Sequence, residues 1–369
     1  MTTPTRNALT DVAGLRVGHA TRAGGGGWLT GTTVVLAPEG GMTAAVDVRG
    51  GGPGTKETDA LDPRNVVRRI DAVTLTGGSA YGLDAASGVM AWLEEQGRGV
   101  RVGAGPREVV PVVPAACVFD LGRGGEFRAR PDAATGRAAV EAAAAAAPGS
   151  PVAEGSVGAG TGAVIGGLKG GVGTASTVLD SGVTVAALVV ANAVGSAVDP
   201  ATGALYGRLF APEPARDGGP HPYPHPHPHP YPYPSPETHA AARERIARAR
   251  QETAEAVGGP ASPPMNTTLA VVATDAVLGR SQAQKLAGTS HDGIARAVRP
   301  VHLLNDGDTV FAVATGARPL DEKNPLALND VLTAGADVVT RAIVRAVLAA
   351  ETVRGPGGTF LSYRDLYGS

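Results

Sequence analysis

Pro264-Met265-Asn266-Thr267-Thr268-Leu269-Ala270-Val271-Val272-Ala273-Thr274-Asp275 is the stretch on which the reading of this chain turns. A proline pair, Pro263 and Pro264, leads into Asn266-Thr267, and the β-branched apolar run that comes next reads as a buried strand. A hydroxyl residue at the start of a strand is a place where a chain can be cut to make a new N-terminal nucleophile. A terminal Thr carries its own base, because a freed α-amine has a pKa of about 7.7–8.0 and accepts the hydroxyl proton near neutral pH. Asn-Thr-Thr is equally an ordinary capped start of a strand, so its meaning comes from its surroundings.

Downstream, Ser281–Ala297 reads as a helix carrying Lys285, His291 and Asp292. His302-Leu303-Leu304-Asn305-Asp306-Gly307-Asp308 then leads into the apolar run Thr309–Thr315. Asp306 and Asp308 are two apart, so on a regular strand both carboxylates project from one face. Asn-Asp-Gly-Asp is also ordinary turn chemistry. Beside a new terminal amine, such a pair holds the ammonium and orients the Thr hydroxyl. Residues 328–350 form a last amphipathic helix.

Upstream, residues 212–236 form a tract in which proline alternates with His or Tyr, and it holds four of the eight histidines: His221, His225, His227 and His229. Proline at this density excludes helix and sheet and leaves extended, solvated chain, so the tract reads as a flexible surface insertion that fixes no metal geometry. Glu237–Val257 is a charged helix, and residues 258–264 are a flexible approach to the Asn266-Thr267 bond. Before the tract, Val183–Val190 reads as a strand buried on both faces, followed by Ala191-Asn192-Ala193-Val194-Gly195. A polar amide placed directly after such a strand must find hydrogen-bond partners or meet a ligand. Asn192 is therefore either a backbone brace or a donor to a developing oxyanion.

The N-terminal half alternates short apolar runs with glycine clusters. Arg49-Gly50-Gly51-Gly52-Pro53-Gly54-Thr55 comes after a strand and reads as a wide turn or an anion cradle, but not as a P-loop, since no Gly-Lys-Ser/Thr closes it. Gly77-Gly78-Ser79-Ala80-Tyr81-Gly82-Leu83-Asp84 turns from the strand Val73–Thr76 into a helix ending near Gln96, with Ser79 as its N-cap. The Gly-x-Ser-x-Gly context of an α/β-hydrolase elbow is missing there. Ala134–Ala147 is an alanine-rich helix. Gly158-Ala-Gly160-Thr-Gly-Ala163 approximates a dinucleotide fingerprint, yet with 53 glycines such matches arise by chance and no clear strand precedes it.

The formal net charge of -2 gives no basic surface for nucleic acid or an anionic membrane. Val, Ala and Leu runs persist along the whole chain, so its glycine and proline serve tight turns and small-residue packing rather than disorder. Cys117 is the single cysteine and can form no internal disulfide. With no apolar signal segment in Met1–Ala8 and no membrane-spanning run, a soluble cytoplasmic protein is expected. No metal or cofactor is expected.

Taken together, these motifs resemble the autoprocessing L-aminopeptidase/D-esterase family, which includes β-peptidyl aminopeptidases and the nylon-oligomer hydrolases. The signatures are Leu9–His19, Thr43–Gly52, Leu75–Leu83, Lys169–Ser176, Val189–Asp199, Asn266–Asp275 and Asp306–Gly316. The nylon-oligomer branch is the nearest in appearance, through its Thr nucleophile and its Asp-Gly-Asp pair. The resemblance implies an α+β fold, an αββα four-layer sandwich of N-terminal-nucleophile type. It implies one catalytic domain, 1–369, cut between Asn266 and Thr267 into an α-subunit (1–266) and a β-subunit (267–369). Thr267, Asp306, Asp308 and Asn192 become the catalytic set, with Lys169, Phe119 and Tyr81 as substrate-side residues. Some members carry Tyr where Phe119 stands, which removes a phenolic hydrogen bond. The implied activity is hydrolysis of small peptides or 6-aminohexanoate oligomers through an acyl-enzyme, by a homo-tetramer of αβ units. Aminopeptidase, D-esterase and β-peptidyl specificities share the same parts. Acyl transfer of the ornithine-acetyltransferase kind, an uncut binding protein and a dinucleotide oxidoreductase are the competing functions.

Overall fold

In a computed structural model, residue 4 and residues 6–210, 233–256 and 265–368 are described. Most of the His/Pro/Tyr tract and the approach to Met265 lie outside them. Among the described residues, ten strands build two five-stranded sheets. The first contains β1 (Arg16–Gly24), β2 (Trp28–Leu36), β4 (Thr55–Lys56), β5 (Ala72–Thr76) and β6 (Ala115–Cys117), in the order β1-β2-β5-β6-β4. The second contains β3 (Thr43–Val48), β7 (Gly171–Val178), β8 (Thr184–Ala191), β9 (Leu269–Ala276) and β10 (Thr309–Arg318), in the order β7-β8-β9-β10-β3. Helices α1 (Ala85–Glu95) and α2 (Ala133–Ala145) cover the first sheet. Beyond α3 (Pro236–Ala256), helices α4 (Arg280–Ala297) and α5 (Ala327–Ala349) cover the second.

Strand periodicity of two makes this a four-layer molecule. On β8, Val185, Ala187 and Val189 face α4 and α5, while Ala186, Leu188 and Val190 face the other sheet. On β9, Ala270 and Val272 face the helices, and Leu269, Val271 and Ala273 the sheet interface. Val310 and Ala312 on β10 alternate in the same way with Phe311 and Val313. In the first sheet, Val34, Leu36 and Ala72 pack on α1 and α2, whereas Val35, Val73 and Leu75 enter the central layer. Strands covered on both sides read as unbroken apolar runs.

The pairing between β9 and β10 positions the site. These strands are parallel neighbours in register Leu269↔Thr309 through Thr274↔Ala314. That register carries the segment before β9 alongside the segment before β10, and Asn266 forms an isolated parallel bridge with Asp306.

One local expectation is corrected, and two open alternatives are decided. The helix after β5 is interrupted: Ser79–Gly82 is a single helical turn, Ala85–Glu95 is separate, and Ser79 is not the N-cap, since Gly78 holds that position and Ser79 has φ 51°. Gly158–Gly160 is a short 3-10 turn against the first sheet, not the start of a βαβ unit, which removes the dinucleotide reading. The amides of the Arg49–Gly52 loop are not an open cradle. Arg49 and Gly50 donate to the Asp308 carbonyl, Gly51 to the Leu303 carbonyl and Gly52 to the Asp306 carbonyl.

Candidate active site

Thr267 is buried immediately before β9. Its backbone N–H donates to the Asn192 carbonyl at 2.7 Å, and its hydroxyl donates to the carbonyl oxygen of Asn266 at 2.5 Å. The nucleophile candidate thus stands against the bond that would have to break. Gly307 closes the other side: a Cβ on it would lie 2.7 Å from Thr267 Oγ1, so the loop between the two aspartates can pass this close only as glycine.

Asp306 and Asp308 precede β10 rather than lying on it, and each is fixed by a different neighbour. Asp308 Oδ1 accepts the Thr268 N–H at 2.7 Å. Its Oδ2 accepts the N–H of His302 at 3.2 Å and the ring Nδ1–H of His302 at 2.8 Å. Asp306 Oδ1 accepts the Val194 N–H at 3.1 Å, while its buried Oδ2 has no hydrogen-bond partner among the described residues. Burial, with the Asp308 charge adding to it, pushes the Asp306 carboxyl up to about 6. The His302 ring meets His291 edge to face at 4.9 Å, and His291 Nε2 donates to the Asp47 carbonyl on β3 at 3.0 Å. Burial takes His291 down to about 4.

Asn192 comes directly after β8 and is completely buried. Its Oδ1 accepts from Val164 N–H at 2.9 Å and from Arg123 Nη1 at 2.6 Å, which sets the orientation of the amide. Its Nδ2 is buried with no partner among the described residues, a donor held ready for an acceptor.

Arg123 carries no sequence signal beyond Gly122-Arg123-Gly124, which looks like a surface turn. In the fold it joins the two asparagines: Nη1 also donates to the Gly162 carbonyl at 2.7 Å, and Nη2 donates to Asn266 Oδ1 at 2.6 Å. Burial lowers its pKa to about 10, opposed by the nearby Asp120 carboxylate. His302 is the other residue that sequence reasoning passed over. It lies in the segment before β10, but its side chain is turned onto Asp308 only by a left-handed backbone, φ 56°.

None of the substrate-side candidates is brought onto Thr267, though Lys169 braces the segment that holds Asn192 and Asn266. Lys169 is fully buried, and Nζ donates to the carbonyls of Gly160, Ala163 and Gly170 at 3.0, 3.1 and 2.7 Å. An ammonium has three hydrogens, so Lys169 holds the glycine-rich segment and keeps none for a substrate. Burial, with Arg123 nearby, lowers it to about 7. Tyr81 is exposed, with the Arg130 guanidinium 3.7 Å over its ring, and Phe119 is half-buried beside Asp120. Among the described residues no hydrogen bond or ring contact joins either of them to Thr267.

A four-layer αββα sandwich with a buried hydroxyl residue at the start of a central strand is an N-terminal-nucleophile-hydrolase type of fold. Solved structures share it, two of them as follows. The β-aminopeptidase of Burkholderia sp. superposes with a TM-score of 0.68 at 23% identity, covering 100% of this chain and 96% of that one. The L-aminopeptidase D-Ala-esterase/amidase of Ochrobactrum anthropi, described as a variant among the Ntn hydrolase fold, gives 0.67 at 23% identity over 98% and 92%. Residues 7–361 match the model of peptidase family S58. The chain belongs to that family and is an amide-bond hydrolase. An uncharacterized aminopeptidase of Mycobacterium tuberculosis is 45% identical over 375 residues, 98% of each chain. A 6-aminohexanoate-oligomer endohydrolase of Kocuria sp. is 30% identical over 315 residues, 83% of this chain and 74% of that one.

Proposed function

We propose that this hydrolase matures by cutting itself between Asn266 and Thr267 and then uses Thr267 as an N-terminal nucleophile on small amides. The observation that carries the reading is the Thr267 hydroxyl lying against the Asn266 carbonyl, with the Asp306–Asp308 loop closed over it. Thr267 Oγ1 attacks the Asn266 carbonyl carbon, the C–N bond breaks, and the hydroxyl proton ends on the departing Thr267 nitrogen. Water then cleaves the ester, releasing the Asn266 carboxylate and restoring the hydroxyl. In the mature enzyme the free amine takes the hydroxyl proton as Oγ1 attacks a substrate amide, and a second water resolves the acyl-enzyme.

Asp308, tied to Thr268 and His302, orients the Thr267 backbone, and Asp306, with its buried Oδ2 unpartnered among the described residues, is assigned to hold the new amine. Asn192 Nδ2 donates to the oxyanion, a role worth roughly 2.7–4 kcal/mol when such a donor is removed. Substrates are small peptides or 6-aminohexanoate oligomers, a reading supported by what the relatives are named for. A cytoplasmic setting and a tetramer of αβ units belong to the same reading, resting on the lone buried Cys117 and on family resemblance. No helix among the described residues is long and apolar enough to cross a membrane.

Intact mass of the expressed wild type and of Thr267→Ala tests the proposal. Wild type is expected as two fragments of 266 and 103 residues and the variant as one chain. A variant cut at the same bond, or a wild type that stays whole on long incubation and cleaves no amide, would end it.

A further inference from the structure

The self-cleavage reading makes the precursor its own first substrate, and the structure then displays how that substrate is held. Asn266 is the acyl residue of the bond to be cut, and it is buried. Its side chain sits in a polar seat: Oδ1 accepts from Arg123 Nη2 at 2.6 Å, and Nδ2 donates to the Val164 carbonyl at 3.4 Å. Arg123 does not depend on Asn266 for its position. Nη1 is anchored to the Gly162 carbonyl and to Asn192 Oδ1, and the Arg123 N–H donates to the Asp120 carbonyl at 3.2 Å. The seat therefore outlasts the departure of Asn266, and Nη2 is left as a donor facing the space that the Asn266 side chain has vacated.

We propose that Arg123 selects the substrate of the mature enzyme, favouring small peptides whose acyl residue carries a carbonyl oxygen in its side chain, where Asn266 carries its own, over 6-aminohexanoate oligomers, whose acyl chain has none. This rests on the proposal that Thr267 cuts the chain and then hydrolyses amides. An incoming acyl residue must bring its carbonyl carbon to Thr267 Oγ1, as Asn266 does, so its side chain falls into the same seat. An asparagine-like residue restores the charge-assisted bond to Nη2. An apolar residue of the same shape leaves a desolvated guanidinium hydrogen unpaired, and sites built to hydrogen-bond a substrate reject analogues that cannot respond. The same guanidinium also orients the Asn192 amide. Reading substrate and presenting the oxyanion donor are thus tasks of one side chain.

The test compares kcat/KM for asparagine and leucine p-nitroanilides, which are nearly equal in shape, on purified mature wild type and Arg123→Met. Wild type is expected to favour asparagine by about tenfold or more. In Arg123→Met the ratio is expected near one, because the asparagine rate falls further than the leucine rate. A role confined to orienting Asn192 would lower both rates together and leave the ratio unchanged, which overturns the proposal. If Arg123→Met fails to fold or to mature, Asn266→Leu in the otherwise wild-type precursor takes its place, with self-cleavage expected to slow at least tenfold by intact mass. A wild type that matures and turns over leucine as fast as asparagine overturns this inference alone. A wild type that neither matures nor cleaves an anilide overturns the proposed function with it.

Discussion

Asp306 is the residue whose environment departs furthest from what its neighbours in sequence suggest. The two-residue spacing of the aspartates is legible in the sequence, whereas their nearness to Thr267 follows there only from the family resemblance, because the parallel pairing of β9 and β10 has no sequence signal. Their inequivalence is not legible, because it depends on which carboxylate receives donors: among the described residues Asp308 accepts at both oxygens, while Oδ2 of Asp306 has no hydrogen-bond partner. Arg123 and His302 were illegible for a related reason, since their roles arise from partners far along the chain or from a left-handed backbone. A carboxyl raised to about 6 in the fold keeps its proton where the unfolded chain has lost it. Its contribution therefore falls as pH rises from about 4 to 6 and is level outside that window. His19 and His291, both lowered to about 4, act in the opposite sense there, so Asp306 must be isolated by difference. In the uncut Thr267→Ala background, chemical denaturation with and without Asp306→Asn is expected to give a difference curve that drops on the order of 2 kcal/mol across the window. A flat difference would show that Asp306 titrates like an ordinary surface carboxylate, and a rising one that the fold stabilises its charge; either overturns the prediction.

At the scale of elements, the strands were easy to read and the loops were not. Val183–Val190 anticipated β8 to within one residue at each end, because uninterrupted β-branched and small apolar residues have few alternatives. The Arg49–Gly52 loop, by contrast, looks the same whether its amides face a ligand or another loop. Here they face the aspartate loop, and Gly50 is where an added side chain would meet that loop's backbone most closely. A Cβ at Gly50 would lie 2.3 Å from the Asp308 nitrogen and 2.5 Å from the Asp306 carbonyl oxygen. Backbone cannot step aside as a side chain can, so Gly50→Ala must move the carboxylates away from Thr267. It is expected to cost about 1–3 kcal/mol and to slow self-cleavage by an order of magnitude or more. Gly25→Ala, at a turn with nothing within 4 Å of the added methyl, is the control and is expected to mature at the wild-type rate. Equal maturation rates by intact mass would mean that the two loops yield without disturbing the site.

For the whole molecule, the four layers follow from the family resemblance and not from periodicity, because strands buried on both faces conceal which face is which. The sheet order also decides the fate of the two fragments once the chain is cut after Asn266. β9 and β10 belong to the C-terminal fragment, and they lie in the second sheet between β8 and β3, which belong to the N-terminal fragment. β9 is antiparallel to β8 over Val185–Val190, and β10 is antiparallel to β3 over Thr309–Ala314. Separating the fragments therefore breaks two ladders and exposes both the helix-facing and the sheet-facing core of the second sheet. Apolar burial at roughly 25 cal/mol per Å2 makes that a global unfolding event rather than a dissociation. Fully cut protein is thus expected to elute from size exclusion as one species containing both fragments, at any dilution that permits detection, and to unfold in a single transition. Fragments that part on dilution without denaturant would show that the second sheet is held far less tightly than its interleaved order requires.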